Sequence, residues 1–201
     1  MARQCAGKGR LIAVEGTRGH DLRDAAAELW HRFEARAVHG GVSAWDASGI
    51  FSDLHVGKRK HLSLSPRTLV LLYAADLVFR LRWQIRPALD QGQVIIAAPY
   101  VDTAVAFGVA GGLPRSWLTK LFAFAPPPDV CYRVKERGKA SRPKGKPLDG
   151  HVEFCTAILA DRGAPVGPSE LRRQMVAYLE KLDGKNRCAR LTRRVISSQQ
   201  A

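Results

Sequence analysis

Residues 10–26 read Arg-Leu-Ile-Ala-Val-Glu-Gly-Thr-Arg-Gly-His-Asp-Leu-Arg-Asp-Ala-Ala. The run Leu11–Val14 is short, apolar and unbroken, the pattern of a strand buried in a parallel sheet. A glycine-punctuated turn, Glu15-Gly16-Thr17-Arg18-Gly19, follows, and an alanine-rich stretch that favours helix runs from Asp21 to about Ala37. Strand, glycine turn and helix make the frame of a phosphate-binding loop, in which backbone N–H groups and a helix N-terminus face an anion. The chemistry of such a loop also needs a lysine, and a serine or threonine for Mg²⁺, at its end. Here those positions read Asp21-Leu22-Arg23. The frame is present without its reactive side chains.

Outward from this stretch, strands and helices alternate. Gly40-Gly41 signals a turn and Val42–Trp45 a second strand; residues 46–66 read as loop with a short helix at Phe51–Val56. Ser65-Pro66, a cap followed by proline in the first turn, opens the clearest helix. Its apolar residues Leu69, Leu72, Tyr73, Leu77, Phe79, Leu81 and Ile85 recur at helical spacing to about Leu89, and Gln91-Gly92 ends it. Val94–Ala98 is a central strand, helical pieces are expected at 101–107 and 114–124, and Val130–Val134 is a strand after Pro126-Pro127-Pro128. Helices at 150–161 and Pro168–Leu182 and a short strand at Cys188–Thr192 complete the pattern. It predicts a three-layer α/β sandwich, a parallel sheet of about five strands flanked by helices, in a single domain over residues 1–201.

The chain has 201 residues, 46% of them hydrophobic and 25% charged, which suits one domain with a proper core. Its apolar stretches are too short to span a membrane and its start lacks the apolar region of a secretory signal, so a cytoplasmic protein is expected. Cys5, Cys131, Cys155 and Cys188 are scattered with no Cys-x-x-Cys pair, which argues against a zinc site or a disulfide framework and predicts reduced thiols. The histidines never fall at metal-ligand spacing, and no nucleophile elbow is present. The net charge of +14, concentrated beyond residue 130, attracts polyanions and phosphorylated ligands, although no nucleic-acid reader motif accompanies it.

From Ser65 to Val134 the residues resemble the thymidylate kinases of the P-loop nucleoside monophosphate kinase group. Leu71-Leu72-Tyr73-Ala74-Ala75-Asp76-Leu77 is similar to that family's Leu-Leu-Phe-Ala-x-Asp-Arg helix, and Ile85-Arg86-Pro87-Ala88-Leu89 through Ile95 to its Ile-x-Pro-Ala-Leu-x-x-Gly-x-x-Val-Ile passage. Tyr100-Val101-Asp102-Thr103 through Phe107 stands where the family has Tyr-x-x-Ser-x-x-Ala-Tyr, and Pro128-Asp129-Val130 resembles its Pro-Asp-Leu. In order and spacing the resemblance covers about residues 10–185. It implies the fold and a homodimer; helix 66–89, apolar on more than one face through Tyr73, Val78, Phe79 and Trp83, suits such an interface and equally suits burial in the chain's own core.

The departures fall on the chemistry. Against the family's loop, Glu-Gly-x-Asp/Glu-Gly-x-Gly-Lys-Ser/Thr, Arg18 replaces the acid, Asp21 the last glycine, Leu22 the lysine and Arg23 the hydroxyl residue. A carboxylate where phosphate would lie costs roughly a few kcal/mol even at an effective dielectric of about 20. The family's Asp-Arg after the third strand becomes Ala98-Pro99, its base-facing arginine becomes Leu77, and the arginine after the second strand is not recognisable around Trp45-Asp46. The degenerate phosphate loop therefore comprises Gly16, Arg18, Gly19, His20, Asp21, Leu22 and Arg23, with His20 expected as an exposed loop residue. Tyr73, Leu77, Pro99, Tyr100 and Phe107 form the candidate nucleotide pocket, with Tyr73 and Phe107 open to a second reading as core aromatics. Lys139, Arg142, Lys144 and Lys146, in a basic loop at 135–147, stand where the family has its lid. Asp102 is expected to cap the helix after the third strand.

These residues imply a catalytically inactive family member, with a possible remodelled nucleotide or anion pocket and no catalytic or metal-binding residues. The alternatives are an active ATP- and Mg²⁺-dependent nucleotide kinase with rewired cations, and a polyanion- or nucleic-acid-binding protein on a kinase fold. No cofactor is expected unless the kinase alternative holds.

Overall fold

The computed structural model describes residues 9–56, 64–134, 150–161, 167–183 and 189–191. The lid-like loop with Lys139, Arg142, Lys144 and Lys146 lies outside the described residues.

Five strands, β1 (Arg10–Glu15), β2 (Gly40–Ala44), β3 (Val94–Ala98), β4 (Val130–Val134) and β5 (Ala189–Leu191), form one sheet in the order β2-β3-β1-β4-β5. Every pairing is parallel. The apolar run of β1 is explained by two covered faces. Ile12 and Val14 pack beneath α1 (Gly19–Glu34) with Leu22 and Ala26. Leu11 and Ala13 belong to the larger core on the other face, built with α3 (Pro66–Arg80), α5 (Val101–Ala110), α6 (Arg115–Leu121), α7 (His151–Asp161) and α8 (Pro168–Asp183). Asp129 fixes the entry to β4, accepting from the Leu11 N–H at 2.8 Å while its own N–H donates to the Leu11 carbonyl at 2.9 Å.

Helix α1 begins at Gly19 rather than Asp21, because the Leu22 N–H already bonds the Arg18 carbonyl at 3.0 Å. It ends before Ala37, whose φ of 54° is left-handed and leaves the helix. The short helix α2 spans Ile50–Val56. Strand β2 starts at Gly40, where a Cβ would lie 1.7 Å from the Val94 carbonyl oxygen; only glycine permits that approach. The Ser65 cap is as expected, its Oγ accepting from the Thr68 N–H at 3.1 Å. The helix it opens is not uniform to Leu89. A π turn at Leu81–Ile85 separates α3 from α4 (Arg86–Asp90). Pro87 has no N–H to return to the preceding turn, and the Arg86 N–H reaches back to the Leu81 carbonyl.

The expectation of four reduced thiols is corrected at Cys131, which is disulfide-bonded, whereas Cys155 is free and buried. Spacing along the chain carries no information on which cysteines meet in the folded protein. No described helix is long and apolar enough to cross a membrane.

Candidate functional site

Adjacent strands β1 and β3 send their chains to opposite faces of the sheet, β1 into α1 and β3 into α5, and so open a crevice at their C-terminal ends. Glu15, the last residue of β1, reaches across it. Its carboxylate accepts from the N–H groups of Tyr100 (3.2 Å), Asp102 (2.9 Å) and Thr103 (3.0 Å) and from the Thr103 hydroxyl (2.6 Å). Glu15, not Asp102, therefore caps α5; the Asp102 carboxylate lies 3.4 Å from the buried Arg133 guanidinium instead. Burial first, and then the charge of Asp102, push the Glu15 carboxyl up to about 7 against the lowering pull of Thr103 and Arg133.

The N-terminus of α1 faces a carboxylate from far along the chain. The Gly19 N–H donates to both Glu153 oxygens, at 3.1 and 3.2 Å. Arg172 of α8 lies 4.0 Å from the same carboxylate. Gly150 makes the approach possible, since a Cβ there would stand 2.5 Å from the Gly19 Cα. Behind Gly19 the loop positions turn inward. Leu22, where a lysine would be needed, is 4% exposed among Ile12, Val14 and Ala26. Asp21 is 3% exposed, with the His20 Nε2 3.3 Å from its Oδ1. His20 is a half-buried residue of the first helical turn rather than a loop residue. Gly16 is buried and donates its N–H to the Thr103 Oγ1 at 3.2 Å, whereas Arg18 is half-buried and Arg23 exposed.

Tyr73, Leu77, Pro99, Tyr100 and Phe107 are all buried. The Tyr73 hydroxyl donates to the Tyr100 carbonyl, and the Tyr100 hydroxyl to the Pro126 carbonyl at 2.8 Å. Desolvation pushes both phenols well above the usual tyrosine range. The aromatic slot between α3 and α5 holds the imidazole of His151, the first residue of α7. Ring centroids lie 4.5 Å from Tyr73, 5.4 Å from Phe107, 5.8 Å from Phe51 and 6.3 Å from Trp45. Burial lowers the His151 pKa to about 3, so the ring is neutral. Its Nε2 stands 3.4 Å from the Cys155 Sγ, while Nδ1 is buried without a hydrogen-bond partner. An unsatisfied buried nitrogen of this kind costs about 1–3 kcal/mol.

The floor of the crevice is tied by Arg80, fully buried at 0% exposure. Its Nε donates to the Ser43 Oγ (2.9 Å) and its two terminal nitrogens to the carbonyls of Pro99 (2.9 Å) and Ser43 (2.6 Å). Asp76, also buried, accepts from the N–H groups of Asp46 (3.2 Å) and Ser48 (3.0 Å) and so shapes the turn after β2. Glu15, Arg80, His151 and Glu153 are absent from the sequence-based candidates. Only Glu15 carried a local signal there, as the acid that closes the strand before the glycine turn.

Between α1, the ends of β2 and β3, and α7 lies a cavity of about 530 Å³. Leu22, Ala26, Val42, Ala44, Ala98 and Pro99 give it apolar walls, and Arg23, Asp46 and Glu153 supply charge. A separate groove of about 440 Å³ gathers Arg18, Arg172 and Arg173. The first loop lacks the side chains with which a phosphate-binding loop holds ATP and Mg²⁺. The lysine position is apolar and buried, and the hydroxyl position is Arg23.

A parallel sheet in this strand order, with a glycine turn leading from its central strand into a helix, defines an α/β protein of the P-loop nucleoside monophosphate kinase type. No family model matches the chain. It is 30% identical over 173 residues to a thymidylate kinase of Xanthomonas oryzae pv. oryzae, covering 78% of this chain and 73% of that one. It is 28% identical over 164 residues to a probable thymidylate kinase 2 of Saccharolobus solfataricus, covering 78% and 76%. The crystal structure of thymidylate kinase from Ehrlichia chaffeensis matches its fold with a TM-score of 0.64 at 16% identity, over 96% of this chain and 99% of that one. The chain belongs to the thymidylate kinase family.

Proposed function

We propose that this protein is a catalytically inactive member of the family that acts by binding rather than by phosphoryl transfer. Phosphoryl transfer relies on positioned cations to offset charge at the migrating group. The observation that carries the reading is Leu22, which places an apolar side chain inside the α1 core where the reaction needs a lysine at the phosphates. Ala98 and Pro99 act in the same direction, lining the cavity with apolar surface at the end of β3. The test is a coupled phosphotransfer assay with ATP and Mg²⁺ across nucleoside monophosphates, paired with calorimetry for ATP and dTMP. No turnover above a metal-free blank is expected; turnover that depends on Mg²⁺ would move the rewired-kinase reading ahead.

The groove of Arg18, Arg172 and Arg173, together with the net charge of +14, favours a second reading as a polyanion-binding protein. Its affinity would fall steeply as salt rises, in proportion to the phosphates contacted, and a flat salt dependence would end it. Association with a second copy is supported by the exposed apolar residues of the α3 region, Leu71, Val78, Phe79 and Trp83, the last 63% exposed. Sedimentation equilibrium would show a dimer that Trp83→Glu dissociates.

A further inference from the structure

The first turn of α7 brings two chemically different groups to the crevice from residues two apart in sequence. His151 places a flat ring in a slot walled by Tyr73, Phe107, Phe51 and Trp45. Glu153 places an anion on the Gly19 N–H at the positive end of a helix of 16 residues. We propose that Gly150–Glu153 is a tethered occupant of the ligand cleft, an autoinhibitory plug that competes with a ligand made of a flat aromatic ring joined to an anionic group. The proposal rests on the binding reading above, and its test separates the two.

Three features distinguish a plug from ordinary core packing. The slot is aromatic on four sides, yet its occupant leaves Nδ1 buried without a partner; phenylalanine or leucine would fill a purely structural position with no such loss. The Glu153 carboxylate stays half-buried and takes a single backbone donor, in contrast to an anion fixed for stability, which gathers several. Finally, Gly150 is in contact with Gly19 and its hypothetical Cβ also falls 2.8 Å from the Glu153 carboxylate, so the seat depends on one missing side chain. The plug sits beside the cavity of about 530 Å³ and contributes Gly150, His151, Val152 and Glu153 to its wall. Its departure would join slot, helix terminus and cavity into one site.

The test uses two variants of the full chain. Gly150→Ala lifts the turn by collision and leaves every side chain of the slot in place. Glu153→Gln removes the tethered charge. Binding of dTMP, thymidine and inorganic phosphate is measured by calorimetry on the wild type and both variants, with near-ultraviolet circular dichroism as the check on folding. A plug that fills the site in nine molecules of ten lowers apparent affinity about tenfold, so each variant is expected to bind dTMP about tenfold tighter than the wild type. Thymidine or phosphate alone should gain less than dTMP. Unchanged or weaker dTMP binding in both variants overturns the proposal, and if Gly150→Ala does not fold, Glu153→Gln alone decides. Tighter binding with phosphoryl transfer from ATP would keep the plug and end the inactive reading. Unchanged binding without transfer would end the plug and leave that reading standing.

Discussion

Among the described residues, two helices have an N-terminus that meets a glutamate from elsewhere in the chain, and the two arrangements differ. At α5, Glu15 is fully buried and accepts four donors from three residues. At α1, Glu153 is half-buried and accepts one N–H, with Arg172 at 4.0 Å. A carboxylate saturated with fixed donors belongs to the scaffold, because its removal strands buried N–H groups. One held by a single donor at the rim of a cavity can be exchanged for another anion. The same helix-terminal physics therefore serves architecture in one place and occupancy in the other.

The contrast is sharpest in stability. Glu15→Ala should lower the unfolding free energy by about 4 kcal/mol, since it leaves several buried donors unpaired. Urea denaturation measures this, and a loss no larger than that of Glu153→Ala would erase the distinction.

Titration gives the next largest effect. Glu15 sits at about 7 in the folded protein against an ordinary 4.5, so the native state takes up the proton first as pH falls. Lowering pH from 7 to 5 should therefore stabilise the fold through this group by about 2 kcal/mol. His151 has the opposite sign. Its folded value of about 3 lies below the ordinary 6.5, so the unfolded chain is protonated first. The same change in pH should destabilise the fold through His151 by about 2 kcal/mol. The two contributions offset each other in the wild type. Relative to it, Glu15→Gln should lose stability between pH 7 and 5 and His151→Phe should gain it, as read from thermal unfolding at each pH. Parallel pH profiles for all three proteins would show that neither group is buried as described.

The smallest expected effect is that of Glu153→Gln on stability, about 1 kcal/mol or less, typical of a helix cap that is partly open to water. A loss as large as that for Glu15→Ala would make Glu153 a scaffold residue.

Much of the fold was legible because its signals are local. The apolar runs Leu11–Val14 and Val94–Ala98, the Ser65-Pro66 helix start and the glycine after Glu15 each carry their meaning within a few residues. The emptied phosphate loop was legible for the same reason, as Asp21-Leu22-Arg23 stands in an otherwise recognisable frame. The occupants of the crevice were not. Glu153 meets Gly19 across 134 positions of sequence, and nothing near His151 announces an aromatic slot assembled from α2, α3, α5 and the turn after β2. Arg80 was invisible for a different reason: an arginine on a helix reads as a solvated residue until its three partners at Ser43 and Pro99 are seen. The π turn escaped because apolar periodicity continues through it from Leu81 to Ile85.

Arg80 also has a kinetic consequence. By joining the ends of β2 and β3 through Ser43 and Pro99, it sets the floor of the crevice from within the protein. No rearrangement of that floor has to accompany an arriving molecule, so the slow event is the departure of the α7 turn. Observed association rates should then level off at high ligand concentration, at a ceiling set by the chain and shared by different ligands.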